Sequence, residues 1–589
     1  MFNRENHLGY DVLTGAHKLW RGQPADFSSY FNALSIAKWK KYTKAHSFAL
    51  HLNLRGRVTV QLQGSYAENG LVRKEFFTDH TFVRTEPGEI VLPIAANRAT
   101  VVSFMIESFD DAELYGGYYT AEIDEDELNP VELDIVTTTF QKEAFITDNL
   151  ALFESALFNG GEELAAHLYV NVIDNGRTLD PEAFNNAHTH VFPNPNVGGS
   201  GGYTRGMIES LHSDRHPTHI LLMDDDVVVQ PESIFRTYAL LRLVKDEYKD
   251  HFISGAMLSL EEMHMQHEDV GYVSRATQGY GPEKPRLELH YFDNVVLNEA
   301  DYSADRPDRY AGWWYCCIPT TIARLDNLPL PLFVRGDDVE YSLRNNAQFI
   351  TLGGICIWHA GFTFKFSAAM ELYQVHRNSM MIQAMSDILP GVDFTARIKR
   401  LLWVELCRFS YDAADQLLDS LEDYLSGPDF IATPTGERLL KAHSAKNEQL
   451  VNLARFSHPP VKSKALYAPK KARRWLHRQL YRLTINGHLA PKFLLKKGAP
   501  DIAFDWFNDP QKNFFHRHLL AINPYAQTAI LRTLDQKRGL AIIQRSRALF
   551  KRHAQENAAL VAAYRAAREK FVTEAFWLDY LQQAGALNG

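Results

Sequence analysis

The sequence runs to 589 residues, 46% of them hydrophobic and 23% charged, with a formal net charge of −9. That length predicts roughly three domains with ample core, and the acidic balance argues against broad nucleic-acid binding. Four cysteines (Cys316, Cys317, Cys356, Cys407) are too few and badly spaced for a disulfide framework or a zinc site.

The first residues, Met-Phe-Asn-Arg-Glu-Asn-His, carry no apolar leader, and no segment approaches ~18–20 uninterrupted apolar residues. The expectation is a cytoplasmic protein, at most peripheral at the inner face of the plasma membrane. Residues 1–130 read as β-rich. His46–Leu54 and Val58–Gln63 alternate apolar and polar side chains, with Arg55-Gly56-Arg57 between them as a short turn. Further strands at Glu75–Val83, Ile90–Pro93 and Thr100–Glu107 predict a β-sandwich or jelly roll, which binds glycan or simply packs. Acidic Asp124-Glu-Asp-Glu marks the boundary.

From Glu132 the rhythm changes to β-α-β: a strand at Leu133–Phe140, a helical period over Glu143–Phe158, a strand at Ala165–Ile173. This predicts an α/β, doubly wound, Rossmann-like domain over 131–394, with ligands at the carboxyl ends of its strands. Thr137 to Phe140, Lys142 and Asp174 point toward that crevice. The run Asn194-Pro-Asn-Val-Gly-Gly-Ser-Gly-Gly-Tyr-Thr-Arg-Gly is no Walker A loop; it reads as a close approach to ligand at a helix start or as a flexible loop.

The stretch His219-Ile-Leu-Leu-Met-Asp-Asp-Asp is a buried strand that ends abruptly in Asp224, Asp225 and Asp226. Alternation puts Asp224 and Asp226 on one side. Two carboxylates facing one point suit a hard cation, Mn²⁺ or Mg²⁺, which in turn grips a diphosphate; the bland alternative is an acidic turn. Prenyl-diphosphate chemistry is disfavoured, because its acidic motif recurs at helical spacing and Val227 to Val229 follow here.

Trp313-Trp314 open an apolar strand over 312–319, so at least one indole is core and the other is free to stack on a sugar ring. Gly336-Asp337-Asp338-Val-Glu340 reads as loop into helix. Asp337 with Glu340 forms a capping-box pattern, whereas Asp338 has no capping task and is the better proton acceptor. Gln348–His359 is a strand ending in His359, structural or a third metal ligand. Beyond residue 394 the chain reads as helical over 395–589, with periodic runs at Leu401–Leu425, Pro510–Ile530 and Leu540–Ala566. Within it, Lys470-Lys-Ala-Arg-Arg-Trp-Leu-His-Arg-Gln-Leu-Tyr-Arg is a basic amphipathic stretch, read as a contact for anionic lipid headgroups or as a solvated face.

Taken in order, the acid triplet, glycine-rich run, double Trp, Gly-Asp-Asp-Val-Glu and Trp358-His359 resemble the bacterial galactofuranosyltransferases of glycosyltransferase family 2, the polymerising enzyme of mycobacterial galactan synthesis above all. The resemblance implies a GT-A catalytic domain between an N-terminal β domain and a C-terminal helical one. It implies UDP-galactofuranose as donor, a glycan or lipid-linked glycan as acceptor, and inversion with Mn²⁺ or Mg²⁺. By position, Asp224, Asp226 and His359 become the metal ligands, Asp338 the general base and Asp337 its neighbour. Thr138, Lys142, Asp174, Asn196 and Asp225 fall where the nucleotide lies; Trp313, Trp314 and His376 fall on the acceptor side. Where the family's nucleotide strand often continues Phe-Asn-Arg-Pro, this one reads Phe-Gln141-Lys142-Glu, which keeps the charge but loses the bidentate fork. A transferase for rhamnose or galactopyranose, or a glycan-binding protein on the same fold, are the rival readings; self-association is left open.

Overall fold

The computed structural model describes residues 8–587 apart from 78, 96–97, 162, 304, 362–365, 468–474 and 506. One strand, Ser47–Glu68, carries the N-terminal antiparallel sheet. Along one edge it pairs first with Ala112–Glu122 and then with Val101–Ser108; His80–Pro93 follows the other. The turn expected at Arg55-Gly56-Arg57 is instead an irregularity inside this single strand, where the register shifts. Gly56 makes it possible: its φ is 110°, and a Cβ there would lie 2.4 Å from that of Ala112. Leu50, Leu52, Leu54, Val58, Val60 and Leu62 all face one core, so the bend preserves the alternation that the sequence shows.

The chain then enters an α/β layer. Its elements are β1 (Leu133–Thr139), α1 (Glu143–Phe153), β2 (Leu168–Asp174), β3 (Thr189–Pro193), α2 (Gly198–Leu211), β4 (His219–Asp224), α3 (Pro231–Leu243), β5 (Phe252–Ser254), β6 (Tyr315–Pro319), α4 (Asp337–Arg344), β7 (Phe349–Ile350), β8 (Cys356–His359) and α5 (Val375–Ser386). The sheet order is β3-β2-β1-β4-β6-β5-β7. Strands β3, β2, β1 and β4 are parallel; β6 runs antiparallel to β4 and β5. Ile135, Leu221 and Met223 pack under α1 and α3, while Val136, Ile220 and Leu222 pack under α2. Helices on both faces explain why these strands read as unbroken apolar runs. The glycines of α2 serve that packing: a Cβ on Gly202 would sit 2.0 Å from Thr138 Oγ1, and one on Gly206 2.1 Å from Val136 Cγ1.

After β4 the short strand Val228–Val229 pairs antiparallel with β8, in a second sheet continued by Ala256–Ser259. That pairing returns His359 to the carboxylates at the end of β4.

The C-terminal region is not all helix. Leu401–Leu425 splits into helices Phe394–Cys407 and Tyr411–Tyr424 at Phe409, whose φ is 61°. The run Pro510–Ile530 is one helical turn, Pro510–Asn513, followed by the hairpin His518–Asn523 and Thr528–Thr533. Its apolar residues are contiguous, and a short contiguous run does not separate strand from helix. Gln536–Phe571 is the single long helix expected. The core beneath α2 continues without a break through α5 and these helices to Trp577, whose Nε1 donates to the Pro329 carbonyl at 2.9 Å. Among the described residues no helix is long and apolar enough to cross a membrane.

Candidate active site

Strand β4 delivers Asp224, Asp225 and Asp226 into one polar crevice at the carboxyl ends of the parallel strands. Ligand atoms of Asp224, Asp226 and His359 all lie within 4.8 Å of one another. Around them the structure has already built a charge-compensating shell. Asp226 is gripped by His359 Nε2 at 3.2 Å and by Lys142 Nζ at 3.2 Å. These two, the imidazole first, hold its carboxyl well below the usual carboxylate range. Asp224 is raised by burial, and the Tyr203 hydroxyl offsets part of this by donating to its Oδ1 at 2.7 Å. Asp225 turns toward Thr139 and is pushed up to about 7, chiefly by burial. Two carboxylates and an imidazole converging from two strands form a donor set that fits Mn²⁺ or Mg²⁺.

Helix α4 brings the second carboxylate pair. The capping role expected of Asp337 is overturned: Gly336, with φ 88°, holds the N-cap position and Asp337 is the first helical residue. Glu340 does not reach back to the helix start; its Oε1 accepts from Arg344 Nε at 2.7 Å and from Ser386. Asp337 is therefore buried at 9% exposure without a capping task. Both carboxyls are raised above the usual range by burial, and Asp338 adds repulsion on Asp337. Asp338 Oδ1 accepts from its neighbour's amide, Val339 N, at 2.8 Å. The loop before it is strained, with φ 72° at Phe333 and 71° at Arg335. Asn378 on α5 holds that loop by donating to the carbonyls of Leu332, Val334 and Arg335 at 3.2, 2.9 and 2.7 Å.

The remaining sequence-derived positions divide. Lys142 reaches the crevice, through Asp226. Asn196 is half-buried and caps Gly198 N at 3.1 Å, at the start of α2. Thr138 accepts from Asn175 Nδ2 at 3.1 Å and lies against Gly202, which explains its selection by packing. Asp174, at the carboxyl end of β2, is fully buried, and its oxygens accept from the amides of Gly176, Thr178 and Leu179 at 2.9, 2.6 and 2.8 Å. Trp313 and Trp314 precede β6 in a turn, so strand alternation does not govern them, and both are buried, at 4% and 8% exposure. Neither presents an open face for stacking. Trp314 Nε1 donates to Gly255 O at 2.9 Å, while Trp313 meets the Tyr203 ring edge-on and its own Nε1 has no partner. His376 is buried with neither ring nitrogen hydrogen-bonded, and burial drives its pKa well down.

Three site residues escape a reading of the sequence. Tyr203 sits inside the glycine run, where the glycines draw all the notice. Glu268 follows the weak alternation of Met265-Gln-His; its Oε1 is sealed from solvent, and burial with Asp338 nearby pushes it up to about 8. Arg335 pairs with Glu371 Oε1 at 2.9 Å and faces Asp338, opposing the rise in its pKa.

No family model matches the chain. It is 26% identical over 480 residues to galactofuranosyltransferase GlfT2 of Mycobacterium tuberculosis, covering 75% of this chain and 72% of that one. To GlfT2 of Mycolicibacterium smegmatis it is 28% identical over 440 residues, and it spans 64% of that relative's length. A mannosyltransferase from Pyrobaculum calidifontis, solved in complex with GDP-Man and Mn²⁺, aligns at TM-score 0.29 and 11% identity over 55% of this chain and 89% of that chain, a likeness that carries no argument. On sequence, the chain is similar to the GlfT2 galactofuranosyltransferases over about 70% of its length, and that similarity makes it a glycosyltransferase.

Proposed function

We propose that the chain transfers galactofuranose from UDP-galactofuranose to a hydroxyl of a glycan or lipid-linked glycan acceptor, with inversion, on a GT-A domain. The observation that carries this reading is the convergence of a cation-ready trio with a raised carboxylate pair, in a chain similar to galactofuranosyltransferases. Asp224, Asp226 and His359 would hold Mn²⁺ or Mg²⁺, which when bound neutralises charge on the departing diphosphate. Asp338 takes the acceptor hydroxyl proton as that oxygen attacks the anomeric carbon. Its raised pKa suits it to the task, because a base works best with a pKa near the working pH. Burial first and the Asp224 carboxylate second keep that pKa up, and Arg335 keeps enough of the carboxylate ionised to act. Lys142 and Asn196 line the donor side; Glu268 and His376 line the acceptor side. One base and one attack from the opposite face give inversion without a glycosyl-enzyme intermediate, through a transition state with oxocarbenium character by analogy with glycosidases.

The test is incubation of purified protein with Mn²⁺, UDP-galactofuranose and short galactofuranosyl acceptors, read by product mass spectrometry. Acceptors extended by hexose units are expected. Turnover of a rhamnose or galactopyranose nucleotide with UDP-galactofuranose ignored would overturn the donor assignment. No turnover of any donor, with the acceptor still bound, would make the chain a glycan-binding protein.

A further inference from the structure

The short sheet that returns His359 to the carboxylates continues past Ala256–Ser259 to Met265–Glu268 and Leu287–Glu288, each paired antiparallel with the strand before it. Because β8 and Ala256–Ser259 are parallel, the end of β8 that carries His359, the start of Met265–Glu268 and the end of Leu287–Glu288 all lie on one edge. That edge gathers a second group of metal-ligating side chains. Ligand atoms of His264, Glu288 and His290 lie within 4.8 Å of one another. They are two to three strands from His359, roughly 10–15 Å at about 4.8 Å per strand. The His264 and His290 rings meet edge to face with centroids 4.6 Å apart. Glu288 and His290 are two residues apart, with Leu289 buried in the core between them. The backbone beneath is fixed. The Leu289 amide donates to the His264 carbonyl at 2.7 Å, and the Tyr291 amide and Asn294 Nδ2 donate to the Glu288 carbonyl at 3.2 and 3.0 Å. Toward β8, Trp358 Nε1 donates to the Met263 carbonyl at 2.9 Å and the Leu260 amide to the His359 carbonyl at 3.0 Å. His290 Nε2 stands 3.8 Å from Glu288 Oε2, too far for a hydrogen bond, and the two side chains are 44% and 47% exposed.

We propose that His264, Glu288 and His290 form a second metal site, which takes Zn²⁺. The donor atoms select the ion. Two imidazoles and one carboxylate suit borderline-soft zinc and leave its fourth position to water, whereas Mg²⁺ calls for oxygen ligands. The trio of Asp224, Asp226 and His359 has the reverse balance, as does the exposed group of His46, Asp124 and Glu127. Zinc bonds of about 2.0–2.2 Å set ligand atoms about 3.4 Å apart, so a small closing of exposed side chains over a fixed backbone completes the site. The ion staples the turn at residues 260–264 to the segment leading into helix Phe292–Leu297, and so stiffens the edge that carries His359. The inference rests on these three residues and stands apart from the donor and acceptor assigned above.

The test is equilibrium dialysis of the chelator-stripped full chain against Zn²⁺ in millimolar Mg²⁺, with bound metal counted by mass spectrometry. Wild type is compared with Asp226→Asn, which weakens the other trio. Both should retain one zinc per chain that Mg²⁺ does not displace. His264→Gln and His290→Gln should each weaken that zinc by at least about tenfold, since losing a ligand costs no less than losing a group that orients one. Both replace exposed side chains and should melt as wild type does without zinc. Co²⁺ bound to Asp226→Asn should give the intense visible bands of a four-coordinate ion, and Asp226→Asn/His264→Gln should lose them. Zinc that Mg²⁺ fully displaces, or that Asp226→Asn fails to hold, would overturn the proposal. So would histidine variants that hold zinc as wild type does, because the ion would then sit elsewhere. No readout here depends on donor turnover, so this site and the assigned reaction stand or fall separately.

Discussion

Replacing Tyr203 by Phe removes one hydroxyl and leaves the buried ring in place. That hydroxyl donates to Asp224 Oδ1 at 2.7 Å and lies 3.3 Å from the Trp313 carbonyl. A hydrogen bond to a charged acceptor contributes about 1.5–3 kcal/mol, and loss of a group that orients a metal ligand typically costs 10–100-fold in metal affinity, about 1.4–2.7 kcal/mol. The two estimates agree. Tyr203→Phe should therefore raise the Mn²⁺ concentration for half-maximal turnover by roughly 10–100-fold, while turnover at saturating Mn²⁺ stays close to wild type. The pH dependence has a definite sign. Burial already raises the pKa of Asp224 and the tyrosine bond opposes that rise, so its loss lets protons compete better. The added metal requirement should then be largest at the acid end. Mn²⁺ titration of donor turnover, with calorimetry of Mn²⁺-dependent UDP binding at two pH values, reads both effects. An unchanged metal requirement in a folded variant would refute the reasoning. So would a loss of rate that saturating metal cannot restore.

Asp338→Asn should keep metal-dependent UDP binding and lower acceptor-dependent turnover by at least about 10²-fold; near-wild-type turnover would move the base to Asp337. The wild-type rate should fall with pH at values above the ordinary carboxylate range, because the base acts only when ionised and its pKa is raised. Asp337→Asn should leave that acid limb in place, because Asp337 is raised further than Asp338 and is already uncharged while Asp338 titrates; a limb that moves to lower pH would show that Asp337 carries charge there. Stripping metal with EDTA should abolish turnover, and His359→Ala should raise the Mn²⁺ requirement; a change only in melting temperature would make that histidine structural. Gly202→Ala should cost about 1–3 kcal/mol in urea unfolding, since its Cβ meets Thr138 Oγ1 at 2.0 Å.

Much of the α/β layer was legible because its signals are local. A buried strand that stops in three aspartates marks its own polar end, and strands covered on both faces must be apolar throughout. What failed depended on neighbours far off in sequence. Arg55-Gly56-Arg57 looks like a turn unless Ala112 is known to lie beside it, close enough to demand glycine. The glycine run left a ligand approach and a flexible loop open; in the fold Gly202 and Gly206 meet Thr138 and Val136, while a Cβ on Gly199 would lie 4.0 Å from Asp337 Oδ2. Asp337 matched a capping pattern, but the strained loop held by Asn378 delivers the chain to α4 through Gly336 instead. Tyr203 and Glu268 carry no motif at all, and only the fold sets them against Asp224 and Asp338.

The bond from Trp577 to Pro329 makes a segment synthesised early depend on one synthesised late. Pro329 lies just ahead of the loop that presents Asp338, and the Leu328 amide donates to Val572 O at 2.9 Å within the same contact. A nascent chain has made the metal trio and the base on the order of ten seconds or more before the ribosome reaches Trp577. Until then the base loop lacks its backing. A chain that stops short of Trp577 would thus keep Asp224, Asp226 and His359 but lack the contact that braces the segment ahead of Asp338.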